Sequence, residues 1–226
     1  MLEEYARRHS YELAVSTEQT TDLPAPWKKI EIVRDLLDSH DEVLWIDADA
    51  IIVDTSEDIF DALGTDRGVG FVMHQASNLL PNTGVLALRS TPTTVDLLDA
   101  VWSMRHEYTN HIWWEQAAFC RLLGFVETRD GMLRLSQPTR HMLVTQFLDV
   151  EWNSVAIDQA PMPRVKHYPS TSHEQRLNVM TRDRELATRA NAQPTHQLAA
   201  VFAIHDASDA ELRQLLDGHE RDRSGF

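Results

Sequence analysis

The sequence predicts an α/β protein with a mixed central sheet flanked by helices and a helical C-terminal tail. Three observations predict it. From Trp27 the apolar residues Ile30, Val33, Leu36 and Leu37 recur at helical spacing and stop near Ser39-His40, where a strand, Val43-Leu44-Trp45-Ile46, takes over. A helix handing over to a strand in this way is the unit from which α/β sheets are built. That strand runs into Asp47-Ala48-Asp49 and a second apolar run, Ile51-Ile52-Val53, and further amphipathic helices alternate with short apolar runs along the chain. The 226 residues suit a single domain spanning 1–226, with a core over about 1–175 and a tail over about 176–226.

Taken in order, Leu2 to His9 reads as the end of a helix and Tyr11 to Val15 alternates like a short strand. A polar loop with Pro24 and Pro26 leads into the helix and strand above. Thr55-Ser56-Glu57-Asp58 resembles a helix start, and strands are expected over Val69 to Met73 and Gly84 to Leu88. Thr91-Pro92 is a cap followed by proline at the first helical position, with Val95, Leu98, Val101 and Trp102 carrying that helix onward. A further helix runs from Glu115 to Leu123 and stops at Gly124. Strand-like pieces follow at Met132 to Leu135 and His141 to Val144, then a proline-bearing loop from Pro161 to Pro169. The tail reads as a helix from Arg176 to Ala190, an apolar stretch at Leu198 to Ile204 and a short helix at Asp209 to Leu216.

Composition narrows the function classes. A formal net charge of -14 opposes tight, sequence-independent binding to nucleic acid or to an anionic membrane, because counterion release then has the wrong sign. With Cys120 as the single cysteine no intramolecular disulfide can form, and no apolar run is long enough to span a bilayer. A reducing cytoplasm with no integral membrane contact is the expectation.

Asp47 and Asp49 carry the most chemistry. Extended residues two apart share a face, so both carboxylates stand at the mouth of one strand. Side by side they repel each other and resist desolvation, and a hard divalent cation between them and a bound anion relieves both problems. Acidic pairs at strand ends also occur in phosphatases, calcium loops and plain solvent-facing turns. Elsewhere the residues read blandly. Trp113 and Trp114 suit core or rim packing, and Asp54, Glu57, Asp58 and Asp61 a solvated acidic face. His74, His106 and His111 lack metal-ligand spacing, and Cys120 suits packing.

Five segments in combination carry a resemblance: Tyr5-Ala6-Arg7-Arg8-His9-Ser10-Tyr11, Trp27-Lys28-Lys29-Ile30, Val43 to Val53, Asn82-Thr83-Gly84-Val85 and Glu115-Gln116-Ala117-Ala118-Phe119. Together they resemble the GT-A glycosyltransferases, most closely the galactosyl- and xylosyltransferase family that includes galactomannan and xyloglucan side-chain enzymes. The likeness covers roughly residues 5 to 125, with an echo at His167. It implies a GT-A-like (Rossmann-like) domain and a nucleotide-sugar donor, a UDP-sugar above all, whose hexose or pentose passes to a hydroxyl acceptor.

The same resemblance assigns residues. Asp47 and Asp49 become the family's Asp-x-Asp, which with His167 holds Mn2+ or Mg2+. Lys29, Asp47, Ala48, Asp49, Asn82 and Gly84 line the donor, and Glu115 and Gln116 face the anomeric carbon, with retention of configuration. Where relatives follow the histidine with glycine and then lysine, this chain has Ser170 and Ser172, so Lys166 or Arg176 is the candidate replacement cation. The Tyr5 to Tyr11 match normally follows a first core strand, yet four residues precede it here, which points to an upstream start or to a shortened member. Two other readings stand beside the transferase: a haloacid-dehalogenase-type phosphatase, which also places Asp-x-Asp after an apolar strand, and a metal- or sugar-binding protein without catalysis. The acceptor is open to polysaccharide, glycoside, protein or modified nucleic-acid base, the last disfavoured by the acidity.

Overall fold

The computed structural model describes residues 1–16, 23–75, 79–128 and 133–191. Helix α1 (Leu2–Arg8) is followed by α2 (Ala25–Leu37), which starts on Pro24 and carries Pro26 in its first turn, where a missing N–H costs no hydrogen bond. Strand β1 (Glu42–Ile46) and the short β2 (Ala50–Ile52) flank the two aspartates. The five-residue α3 (Ile59–Leu63) is capped by Asp58, whose carboxylate accepts from Phe60 N–H at 3.0 Å. Next come β3 (Val69–His74), β4 (Leu80–Arg89) and α4 (Pro92–Ser103), with Thr91 accepting from Thr94 N–H as its cap. Helix α5 (Trp114–Leu123) ends at Gly124, whose φ of 101° is left-handed and suits glycine. Strands β5 (Phe125–Glu127) and β6 (Leu133–Leu135) form a hairpin, β7 (Thr145–Leu148) and β8 (Val165–His167) follow, and α6 (His173–Asn191) closes the described part.

The central sheet has the order β1-β4-β3-β7, antiparallel except for the parallel β3–β7 pair, so it is mixed. Strand β4 lies inside it and is covered on both sides, which is why Val85-Leu86-Ala87-Leu88 reads as a continuous apolar run rather than an alternating one. Leu86 and Leu88 pack with Trp27, Ile30, Leu97, Leu98 and Phe119 of α2, α4 and α5. Val85 and Ala87 point the other way, toward Tyr5, Ile59, Phe60 and Trp152. A separate two-stranded ladder, β2 with β8, sits at the end of β1 and pairs Ala50 with His167.

Several expectations change. Tyr11 to Val15 forms no strand: Val15 is 73% exposed, and the segment has no ladder partner among the described residues. The helix expected from Thr55 starts at Asp58 instead. Strand β4 begins four residues earlier than expected, because Leu80, Pro81 and Asn82 pair with His74, Met73 and Val72 beyond a bulge. Asn82 and Gly84 therefore lie within that strand. Arg140–Val144 is a 3-10 turn ahead of β7, and part of the expected loop from Pro161 to Pro169 is β8. The acidic face is not simply solvated. Arg164 meets Asp54, Glu57 and Glu151, and Asp58 accepts from Tyr11 Oη at 2.6 Å. Cys120 is buried, as expected of a packing residue, and burial pushes its thiol up to about 12. Met132, the stretch Leu198 to Ile204 and the helix at Asp209 to Leu216 lie outside the described residues. Among those described, no helix is long and apolar enough to cross a membrane.

Candidate active site

The site forms where β1 ends. Asp47 N–H donates to Gly84 O at 2.8 Å and Ala50 N–H returns to Asp47 O at 2.9 Å, so the chain turns tightly between β1 and β2. Because Ala50 is the ladder partner of His167, that turn sets Asp49 beside the imidazole, with Tyr168 N–H on Asp49 O at 2.9 Å. Asp47, Asp49 and His167 each offer one ligand atom, all within 4.8 Å of one another. Ala48, between the aspartates, is exposed.

The polarity of His167 follows from a chain of hydrogen bonds that starts at a backbone amide. Gly84 N–H can only donate, and it donates to Asn82 Oδ1 at 2.9 Å. The same oxygen accepts from Asn153 Nδ2 at 3.0 Å, which turns Asn153 Oδ1 toward His167 Nδ1 at 2.9 Å. An amide oxygen there requires the imidazole proton on Nδ1, so Nε2 presents a lone pair 3.1 Å from Asp49 Oδ1. A lone pair facing a carboxylate is satisfied by a proton or a cation between them. Two carboxylates and one imidazole so arranged are a fitting donor set for Mn2+ or Mg2+.

Gly84 is needed for the close approach: a Cβ there would sit 2.2 Å from His167 Cε1. Burial alone would raise the Asp49 carboxyl, but a hydrogen bond from His167 with its positive charge, which holds when a proton fills the gap to Nε2, and the charge of Arg176 keep it below the ordinary carboxylate range.

Beneath Asp47 lies a buried ionic network. Lys29, on the inner face of α2 and 3% exposed, reaches Glu115 Oε1 at 2.9 Å, Thr83 O at 3.0 Å and Asp47 Oδ1 at 3.2 Å. Burial would lower this lysine, yet Glu115 first and Asp47 second raise it above its ordinary value. Thr83 Oγ1 also donates to Glu115 Oε1 at 3.0 Å, and Trp45 Nε1 donates to Asp47 Oδ1 at 2.6 Å. Gln116 is half-buried, and its Oε1 takes Thr83 N–H at 3.4 Å, which turns its amide nitrogen away from Thr83. The structure thus gathers Asp47, Asp49, His167, Asn82, Gly84, Lys29, Glu115 and Gln116 around the end of one sheet.

Some site residues were not foreseen. Asn153, fully buried in a 3-10 turn, and Thr83 act through contacts distant in the chain, whereas Trp45 bonds Asp47 two residues on; no local sequence signal marks Asn153. His74 is buried with Nδ1 on Asp158 Oδ2 at 3.2 Å, and burial lowers its pKa although Asp158 opposes this. It is not part of the ligand group. Trp113 packs against the core while Trp114 is exposed.

A model of the galactosyl transferase GMA12/MNN10 family matches residues 3–64, which include α1, α2 and both aspartates. Xyloglucan 6-xylosyltransferase 4 of Arabidopsis thaliana is 32% identical over 109 residues, covering 43% of this chain and 21% of that protein. The solved structure of a glycosyltransferase involved in glycosylation of the major capsid of PBCV-1 superposes at TM-score 0.57 and 16% identity, covering 80% of this chain and 88% of that one. The chain has the GT-A fold and resembles the galactosyl- and xylosyltransferase family. The chain spans about a fifth of the length of the curated relative it matches, 21%. Galactosyltransferase LgtC, solved with donor and acceptor sugar analogs, aligns at TM-score 0.39 and 11% identity over 93% of this chain and 76% of that one. The acidic pair stands between the end of β1 and the start of β2.

Proposed function

We propose that this chain moves a hexose or pentose from a nucleotide-sugar, a UDP-sugar in the first instance, to a hydroxyl acceptor, with a divalent cation and with retention of anomeric configuration. The observation that carries this reading is the Asp47–Asp49–His167 group, whose ligand atoms lie within 4.8 Å of one another and whose imidazole is polarised toward the carboxylates. Mn2+ or Mg2+ held there would supply the charge that stabilises a departing nucleoside diphosphate.

The remaining residues act by placement. Lys29 fixes Asp47, and Asn153, itself oriented by Asn82, fixes the tautomer of His167. Glu115 is expected from the resemblance to be catalytic, but its Oε1 already accepts from Lys29 and Thr83 in a buried setting. A carboxylate so engaged is a poor general base, and we assign Glu115 a positioning role. That supports retention, in which the acceptor oxygen bonds to the anomeric carbon as its bond to the diphosphate breaks and the diphosphate oxygen takes the acceptor proton. Gln116, outside that ion pair and half-buried, is the group proposed to stabilise the developing oxocarbenium charge, through the lone pair of Oε1 that Thr83 N–H leaves open.

Incubation with a panel of nucleotide-sugars and an acceptor mixture tests this. Nucleoside diphosphate should be released with Mn2+ and not with chelator, and proton NMR of the product from an α-linked donor should show an α linkage. A β linkage would refute retention, and release unaffected by chelator would refute the role of the cation.

A further inference from the structure

The guanidinium of Arg176 stands over the site largely unmatched. Its Nη1 is 3.6 Å from Asp49 Oδ2, well beyond the usual ~2.7–2.9 Å of a charge-assisted hydrogen bond, and its Nη2 donates to Thr171 O at 2.7 Å. Its Nε is buried and has no partner among the described residues. Arg164 shows what a satisfied guanidinium looks like in the same protein, with carboxylate oxygens at 2.6, 2.9 and 3.0 Å. An unmet buried N–H is costly, and a planar fork of donors suits the oxygens of a phosphate.

The backbone around Arg176 is anchored. Tyr168 Oη and Lys166 Nζ both reach Asp183 Oδ2, at 2.6 and 2.9 Å, and Asn191 Nδ2 reaches Val53 O at 3.1 Å, so α6 is tied to β2 and β8 along its length. Arg176 itself is held by Ser172, whose carbonyl takes its N–H at 2.8 Å. Ser170, where glycine is expected by resemblance, has φ of 61°, so the chain keeps the left-handed bend that brings α6 back over Asp49. The side chain can therefore change partner while the helix stays in place.

Asp49 has two oxygens and two suitors. Oδ1 faces His167, and Oδ2 faces Arg176. A divalent cation arriving between the aspartates competes with the guanidinium for the same carboxylate, and a diphosphate arriving with that cation offers the guanidinium a better one. Resting on the cation and diphosphate reading above, we propose that Arg176 is an exchange cation: it pairs with Asp49 before ligand binds and passes to the diphosphate when cation and nucleotide bind together.

The inference predicts shifts of opposite sign, which a merely structural arginine would not give. Mn2+ alone, and UDP in saturating Mn2+, are titrated calorimetrically into the wild-type protein, Arg176→Ala, Arg176→Gln and Arg182→Ala, the last an exposed arginine of the same helix. Circular dichroism and thermal unfolding establish that each is folded. Loss of Arg176 by either substitution should tighten Mn2+ about threefold to fivefold, as removal of a partly exposed ion pair allows. The same variants should bind UDP about tenfold more weakly or worse, for lack of a charge-assisted contact. Arg182→Ala should match wild type in both. Weakening of both ligands, or change in neither, overturns the exchange, as does failure of both Arg176 variants to fold. A wild-type protein that takes up no Mn2+ instead removes the cation site of the proposed function, and the exchange with it.

Discussion

The two aspartates of one motif are matched by two cations in very different settings. Lys29 is 3% exposed, has three acceptors, on α5, on β4 and just past β1, and is committed before any ligand arrives. Arg176 is 31% exposed and stands off from Asp49. The first pairing is a frame, and the second is the contact that we propose ligand replaces. Charge balance in a site can thus be divided between a fixed part that sets geometry and a loose part that answers to ligand.

Breaking the frame should have the largest effect. Lys29→Met leaves Glu115 buried without its counter-charge and should cost about 3–5 kcal/mol of stability, the usual penalty for orphaning a buried charge, measured by urea unfolding. Gly84→Ala comes next. Its Cβ collides with the imidazole at 2.2 Å, so about 1–3 kcal/mol of overpacking should appear together with loss of Mn2+ binding. Asn153→Ala should cost a similar ~1–3 kcal/mol by leaving His167 Nδ1–H unmatched, and should weaken Mn2+ by about 10–100-fold in titration, because a ligand loses its orienting partner. The smallest effect is in pH. The folded-state pKa of Lys29 is raised, so its contribution is complete below the ordinary lysine value of about 10 and declines as pH rises through the higher folded value. The stability gap between wild type and Lys29→Met should stay level from neutral pH to about 9 and narrow only above about 10.

The sequence made the first half of the site legible and left the second half obscure, for physical reasons. Asp47 and Asp49 were legible because they stand two apart where an apolar strand runs out, although the structure holds them in the tight turn between β1 and β2 rather than in extended chain. Asn82 and Gly84 were found through resemblance and expected ahead of a strand, and their place inside β4 came only with the structure. Lys29 and Glu115 are 86 residues apart, and nothing local says that α2 and α5 bring them to 2.9 Å. His167 was found through resemblance but assigned to a loop, because a three-residue strand among prolines has no periodicity and exists through its ladder with β2. Asn153 carried no signal, since its role is to join two other side chains across the fold. The helices read well wherever a cap or terminator was written in the chain, as at Thr91-Pro92 and Gly124. The strand expected at Tyr11 to Val15 failed because alternation without a neighbouring strand makes no sheet.

Asp47, Asp49 and His167 are proposed to form a cation centre that grips a nucleoside diphosphate. Its most direct test is the thermal midpoint of the wild-type protein and of Asp49→Asn with saturating UDP, in Mn2+ and in chelator. Ligand at about a hundred times its dissociation constant should stabilise the wild type by about 2.7 kcal/mol, or about 5–10 °C for a chain of this size, in Mn2+ alone. Asp49→Asn should remain folded and show no such gain. An equal rise in chelator, or an undiminished rise in Asp49→Asn, would contradict the claim.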